Sequence, residues 1–158
     1  MAAKDYTRID MDWMAKALIL AEKAAVADEV PVGALLVKDG VVVGEGFNSP
    51  ISSCDPTAHA EVMALRDAAS RLENYRLPET TLYATIEPCT MCMGAIIHAR
   101  VSRLVYGAKE PRAGAVESQL ELSKLAHYNH KLEVAGGVMS EQCGELISTF
   151  FRNKRSSK

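Results

Sequence analysis

The segment "VGALLVKDGVVVGEGF" (32–47) constrains the fold more than any other, because two apolar runs flank Asp39-Gly40, a pair favoured in two-residue hairpin turns. It predicts two antiparallel strands. An amphipathic helix precedes them over 10–27, where Met14, Ala17, Leu18, Ala21 and Ala25 form one stripe and Asp10 is available as its N-cap. Beyond Phe47 the hairpin pattern stops. After the loop "NSPISSCDPT", Val62, Leu65, Ala69 and Leu72 mark a helical stripe. "TTLYATI" (80–86) is β-rich, and Pro88 suits the first turn of a helix through "CTMCMGAIIHA". A short strand "SRLVYG", the loop "AKEPRAGAVES", a short helix near 118–125 and a strand near "KLEVAGG" come next. A helix from Glu141 to about Arg155 closes the chain, with Cys143, Leu146, Ile147 and Phe150 on one face.

Strands that alternate with helices after a hairpin predict a mixed five-stranded sheet with helices on both faces, an α/β arrangement. With 158 residues, 48% of them apolar and 24% charged, the chain fits a single domain over 1–158 with a real core. The net charge of -2 and pI near 6.1 exclude a molecule that is basic overall, so any nucleic-acid partner must meet a local basic surface. The opening "MAAKDYTRIDMDW" mixes charges without an apolar core, so no secretory signal is readable, and no run is long enough to span a membrane. A cytoplasmic location is expected, where Cys54, Cys89, Cys92 and Cys143 stay reduced and serve as ligands or core.

Two short motifs carry the chemistry. "EPCTMC" places Cys89 and Cys92 at i and i+3 near a helix N-terminus, where the helix dipole favours thiolate. "TAHAE" places His59 and Glu61 two apart at another helix start. Mid-helix such a pair diverges, but in the first turn both side chains can reach a point beyond the helix end. His59, Cys89 and Cys92 make a three-ligand set for tetrahedral zinc with one position open, the catalytic rather than the structural pattern. Glu61, beside the metal and outside its ligand set, is then the proton carrier. Both motifs come after predicted strands, and ligands of such sheets gather at strand carboxyl ends.

Plainer readings exist. Cys-x-x-Cys alone fits a cytosolic redox pair, and Cys54 or Cys143 could close a structural zinc site as fourth ligand. Cys143 falls on the apolar stripe of the last helix and reads as core. Cys54 lies in a loop five residues before His59. His98, His127 and His130 lack paired-ligand spacing and read as structural or surface groups.

His-x-Glu followed by Pro-Cys-x-x-Cys is the zinc nucleobase-deaminase signature. "EVPVGALLV", "GEGFN", "DPTAHAEVMAL", "NYRL", "TLYATIEPCTMCMGAIIHAR", "NH" at 129–130 and "FFR" at 150–152 extend the likeness over nearly the whole chain. In these blocks the chain resembles the bacterial tRNA-specific adenosine deaminases of the cytidine deaminase-like superfamily. The resemblance implies a three-layer α/β/α fold, one Zn2+ per subunit and a homodimer, with Met91, Met93, Ile96 and Ile97 apolar enough for core or interface. It implies hydrolytic deamination of the wobble adenosine of a tRNA anticodon stem-loop to inosine, with zinc-activated water adding at C6 and Glu61 shuttling protons. Carried over by residue, His59, Cys89 and Cys92 bind zinc, Asn48 hydrogen-bonds the substrate, and the Ala60 backbone and the Val30 wall hold the base. An ordinary loop-capping role is the plain alternative for Asn48.

RNA contact falls to Lys109 and Arg112 in the loop after "VYG" and to Arg152, Lys154, Arg155 and Lys158 in the tail, although such a basic run also suits a solvated helix end. Phe150 and Phe151 either pack the core or shape the groove, and helical spacing favours core for at least one. Glu110, in the same loop and also an expected RNA contact, stands where the family usually has aspartate, and 119–128 match no pattern. Two rival functions remain open at this level: a zinc deaminase of a free base or nucleoside, of cytosine or guanine type, and a noncatalytic zinc-stabilised RNA-binding module.

Overall fold

In the computed structural model, which describes residues 6–157, the chain runs α1 (Arg8–Val26), β1 (Gly33–Lys38), β2 (Val41–Phe47), α2 (Ala60–Leu72), β3 (Thr81–Ile86), α3 (Thr90–His98), β4 (Arg103–Ala108), β5 (Glu133–Ala135) and α4 (Ser140–Ser156). Lys4 and Asp5 at the N-terminus, and Lys158 of the basic tail, lie outside the described residues. Among the described residues no helix is long and apolar enough to cross a membrane.

Asp39 and Gly40 form the expected turn, both with positive φ (51° and 73°), which matches the twist of the strands they join. The register shifts between Leu36 and Val37, where Gly44 and Val42 pair with them and Val43 is the extra, bulged residue. The sheet order is β2-β1-β3-β4-β5. β1 is antiparallel to both neighbours, while β3, β4 and β5 run parallel. Alternation along the central strands feeds two cores. Leu36, Leu82, Ala84, Leu104 and Tyr106 pack towards α2 and α3, and Leu35, Tyr83 and Val105 towards α1 and Cys143 of α4. This is the three-layer arrangement with helices on both faces.

α2 sits close on β2 because Gly44 and Gly46 leave it room. A Cβ on Gly46 would lie 2.5 Å from the Ala60 carbonyl oxygen and 2.6 Å from the Ala64 nitrogen. That close approach sets where the N-terminus of α2, and hence His59, lies.

Several local expectations are corrected. The N-cap of α1 is Thr7, and Asp10 is its N3 partner in a capping box: Thr7 Oγ1 accepts from Asp10 N–H (3.3 Å) and Asp10 Oδ2 from Thr7 N–H (2.9 Å). Pro88 stands before α3 rather than in its first turn, since Cys89 is the N-cap. The helix near 118–125 is only a 3-10 turn, Leu122–Lys124, and the strand near 131–137 shrinks to Glu133–Ala135. Only Cys143 of α4 is buried; Phe150 is half-covered and Phe151 exposed, so neither is core. Met93, Ile96 and Ile97 are buried, and Met91 is exposed.

Asp10 also closes a buried network. Arg103 donates to it twice (2.8 Å each) and the Tyr83 hydroxyl once (2.7 Å). Burial alone would raise the Asp10 pKa, but Arg103, Thr7 N–H and Tyr83 outweigh it and hold the group at about 2 against an ordinary 3.8. A lowered folded-state pKa stabilises above the ordinary value and is lost as pH falls through the folded one. Asp10→Asn is expected to lower stability by about 2 kcal/mol at neutral pH, the difference shrinking as pH falls from about 4, where the unfolded chain takes up the proton, to about 2, where the folded carboxylate does. Denaturant titration at a series of pH values checks it, and a pH-independent difference would contradict it.

Candidate active site

The carboxyl ends of β2, β3 and β4 and the start of β1 open on one edge of the sheet, where two helices begin. His59 is the N-cap of α2 and Cys89 of α3, and neither side chain caps its own helix. Both turn outward instead. "DPT" shapes the approach to α2, because Asp55 Oδ1 accepts from Thr57 N–H (2.8 Å) and Thr57 Oγ1 (2.7 Å), while Asp55 pairs with Arg66 (3.3 Å).

The donor atoms of His59, Cys89 and Cys92 lie within 4.8 Å of one another, and His59 Nδ1 is 3.6 Å from Cys89 Sγ and 3.5 Å from Cys92 Sγ. Tetrahedral zinc with ordinary bonds to sulfur and nitrogen requires N···S edges of about 3.5 Å, so the donors are spaced for it. The hydrogen bond with Cys92 pulls the Cys89 thiol down to about 4 against the opposing effect of burial, and His59 assists. The same contact with Cys89, together with burial, pushes Cys92 upward, and the Cys89 contact raises His59. The group thus favours thiolate at Cys89, the form in which sulfur binds a cation. Cys54 is exposed and outside it, and buried Cys143 is pushed up to about 12 by burial.

Glu61, in the first turn of α2 and 3% exposed, lines a cleft of about 290 Å³ with His59, Cys89, Asn48, Val30, Val32, Ile86, Glu110 and Phe151. Burial raises its pKa, so the carboxyl takes up a proton more readily than an ordinary glutamate. Asn48 Oδ1 accepts from Ala60 N–H (2.8 Å), replacing the cap that His59 does not supply. Ala60 is fully buried and not on the cleft wall, so its N–H meets Asn48 rather than facing a base. The loop-capping expectation for Asn48 is met by its oxygen, and the residue also lines the cleft.

Two buried glutamates, not singled out by the sequence, hold the loops on either side. Glu29 accepts from Ile51 N–H (3.2 Å), Ser52 N–H (2.7 Å) and the Ser52 hydroxyl (2.8 Å). Glu87 accepts from the N–H groups of Glu110 (3.1 Å), Val116 (3.1 Å), Glu117 (2.9 Å) and Ser118 (2.9 Å), and from the Ser118 hydroxyl. The available signal was a carboxylate beside a strand end in "DEVP" and "IEPC", where loop amides need acceptors.

The expected RNA contacts divide. Glu110 lines the cleft and accepts from Arg112 N–H (3.0 Å); Lys109 pairs with Glu117 (3.7 Å). A second groove shares Val30 and Phe151 with the cleft and continues to Asp28, Lys154 and Arg155. Lys154 is spent in part on Asp28 (2.6 Å), and exposed Arg152 lines neither groove. His98 and His127 are exposed, while His130 Nε2 lies 2.6 Å from the Val101 carbonyl oxygen, a structural contact.

The model of the family described as "Cytidine and deoxycytidylate deaminase zinc-binding region" matches residues 7–108. A tRNA-specific adenosine deaminase of Haemophilus influenzae is 49% identical over 158 residues, covering 99% of this chain and 91% of that protein. One from Streptococcus pyogenes serotype M1 is 40% identical, covering 92% and 85%. A solved structure from work described as "Biochemical and Structural Studies of A-to-I Editing by tRNA:A34 Deaminases at the Wobble Position of Transfer RNA" superposes with a TM-score of 0.83 at 42% identity, over 85% of this chain and 98% of that one. Guanine deaminase of Bacillus subtilis superposes with a TM-score of 0.60 at 34% identity, over 73% and 84%.

Proposed function

The chain belongs to the cytidine and deoxycytidylate deaminase zinc-binding family, and from that premise we propose that it hydrolytically deaminates the wobble adenosine of a tRNA anticodon, giving inosine and ammonia. The observation that carries the reading is a buried carboxylate, Glu61, beside a three-donor group spaced for zinc at the head of an apolar cleft. His59, Cys89 and Cys92 hold the metal. Zinc, when bound there, supplies Lewis-acid activation of water. Val30, Val32 and Ile86 exclude bulk water from around the base, and Asn48 orients it with its amide NH2. Glu61 takes the proton from the water that adds at C6, delivers it to N1, and then passes a proton to the departing amine.

A free base is the second reading, favoured by the guanine deaminase likeness. Against it, a second groove carrying Arg155 adjoins the cleft at Val30 and Phe151, room that a single base leaves unused. An anticodon loop presents its bases unpaired and its phosphates alongside, which suits both grooves. Lys109, Glu110 and Arg112 belong to the loop on one side of the cleft, Arg155 with Lys154 lines the second groove, and exposed Arg152, off the groove wall, adds positive charge nearby in α4 for phosphate. The domain acts as a homodimer in the cytoplasm; exposed Met91 and the shallow apolar groove of Leu65, Ala69, Tyr75 and Ala95 support the pairing.

The test compares inosine and ammonia release on an anticodon stem-loop with adenosine at the wobble position against free adenosine, cytosine and guanine. Turnover is expected on the stem-loop alone. Activity on a free base without the stem-loop would replace this reading by the second, and zinc and RNA binding without turnover would indicate the noncatalytic module. Sedimentation velocity checks the dimer.

A further inference from the structure

We infer that Glu87 is a positioning residue that sets the RNA-facing rim of the cleft by holding the start of the 109–118 loop through the Glu110 N–H, a role that rests on the tRNA reading above. Glu87 is 2% exposed, at the end of β3, and every polar contact it makes with its carboxylate is to that loop. The two oxygens divide the loop between them. Oε2 gathers the amides of Val116, Glu117 and Ser118, whereas Oε1 takes the Glu110 amide and the Ser118 hydroxyl.

The far end of the loop has other anchors. Ala115 N–H donates to the Pro88 carbonyl (2.9 Å) and Gly114 bridges to Cys89. The near end, which brings Glu110 and Ala113 to the cleft, has Glu87 Oε1, the Gly114-to-Glu110 backbone bond (2.8 Å), Gln119 Nε2 on the Pro111 carbonyl (2.7 Å) and the exposed Lys109–Glu117 pair (3.7 Å). Of these contacts Glu87 Oε1 alone ties the near end to a residue outside 109–119. Gly114 is also needed here, because a Cβ on it would collide with the Glu87 carboxylate.

Glu87→Gln isolates that oxygen. Three convergent N–H donors select the amide oxygen for the Oε2 place, which turns the NH2 towards Glu110 N–H, a donor facing a donor. The Ser118 hydroxyl can reverse and accept, so Glu110 alone loses its partner. The metal donors stand at the starts of α2 and α3 and within α3, and the one contact of Cys89 with the loop, at Gly114, does not involve Glu87 Oε1, so they keep their places.

Three readouts test this on the full chain with zinc bound. Zinc content is expected to stay at one per chain; trypsin is expected to cut after Lys109 and Arg112 about tenfold faster; and KM for the stem-loop is expected to rise about tenfold with kcat within about twofold. Gly114→Ala, whose Cβ would press on both carboxylate oxygens while the charge is kept, is expected to loosen the Val116–Ser118 end as well and to speed cleavage after Lys109 and Arg112 at least as much. Unchanged proteolysis overturns the proposal, as does a fall in kcat at constant KM, which would place Glu87 at the reacting centre. Failure of both variants to fold assigns Glu87 to the fold as a whole and overturns it too. If wild-type protein does not act on the stem-loop, the tRNA reading fails, and proteolysis with zinc content still decides whether Glu87 holds the loop.

Discussion

Glu61→Gln is expected to reduce inosine formation on the stem-loop by about a thousandfold while zinc content and RNA binding stay at wild-type levels. Glutamine keeps the shape and one acceptor oxygen of the side chain but cannot carry a proton between water, N1 and the departing amine. Glu61 lies outside the group of donors that could hold the metal, so its replacement leaves the three ligand atoms in place. The substitution also removes a carboxylate that is 3% exposed, and the melting temperature is expected to hold or rise, since a buried charge costs stability. Loss of zinc in this variant, or turnover within about tenfold of wild type, would remove Glu61 from the proton-carrying role. Single-turnover kinetics, metal analysis and calorimetry on the same preparation separate these outcomes.

Cys92→Ala is expected to abolish turnover by a different route, through loss of the metal, and to lower thermal stability along with it. Cys92 is fully buried on α3, and its Sγ lies 3.5 Å from His59 Nδ1 on α2, so a cation held between them ties the two helices together. A ligand that binds only the folded state stabilises it in proportion to the logarithm of its free concentration over Kd, about 4 kcal/mol at a thousandfold excess. Wild-type protein treated with a chelator is expected to melt lower, near the Cys92→Ala variant, and that variant to be indifferent to the chelator. Stoichiometric zinc in Cys92→Ala, or a wild-type melting temperature unmoved by chelation, would contradict the three-donor site.

The hairpin, the helices and the four residues His59, Glu61, Cys89 and Cys92 were legible because each rests on short-range spacing: two turn residues, a helical stripe, an i and i+2 pair, an i and i+3 pair. Asp10 shows where such reading stops. Its type and position suit an N-cap, but its place in the fold depends on Arg103, 93 residues away, which no local pattern announces. The failed helix near 118–125 has a similar cause. The amides of Val116, Glu117 and Ser118 go to Glu87, and those of Gln119 and Leu122 go back to the Gly114 and Ala115 carbonyls (2.9 and 3.1 Å), so the segment closes on the preceding loop and only Leu122–Lys124 is left to turn. Asn48 was legible as a capping residue by type, and only the structure shows that the bond it makes is with the Ala60 N–H at the start of α2.

The sheet order also bears on the order of assembly. β1 and β2 close over two residues, a local event, whereas β3, β4 and β5 pair parallel through crossovers and must wait for distant segments to meet. His59 comes after the hairpin and the cysteines after β3, so the donors stand on opposite sides of the β1–β3 seam. Neither half can chelate with all three alone. Metal capture during refolding is therefore expected to follow closure of that antiparallel seam, itself a pairing of distant segments, and a zinc-sensitive dye in stopped flow would record that step.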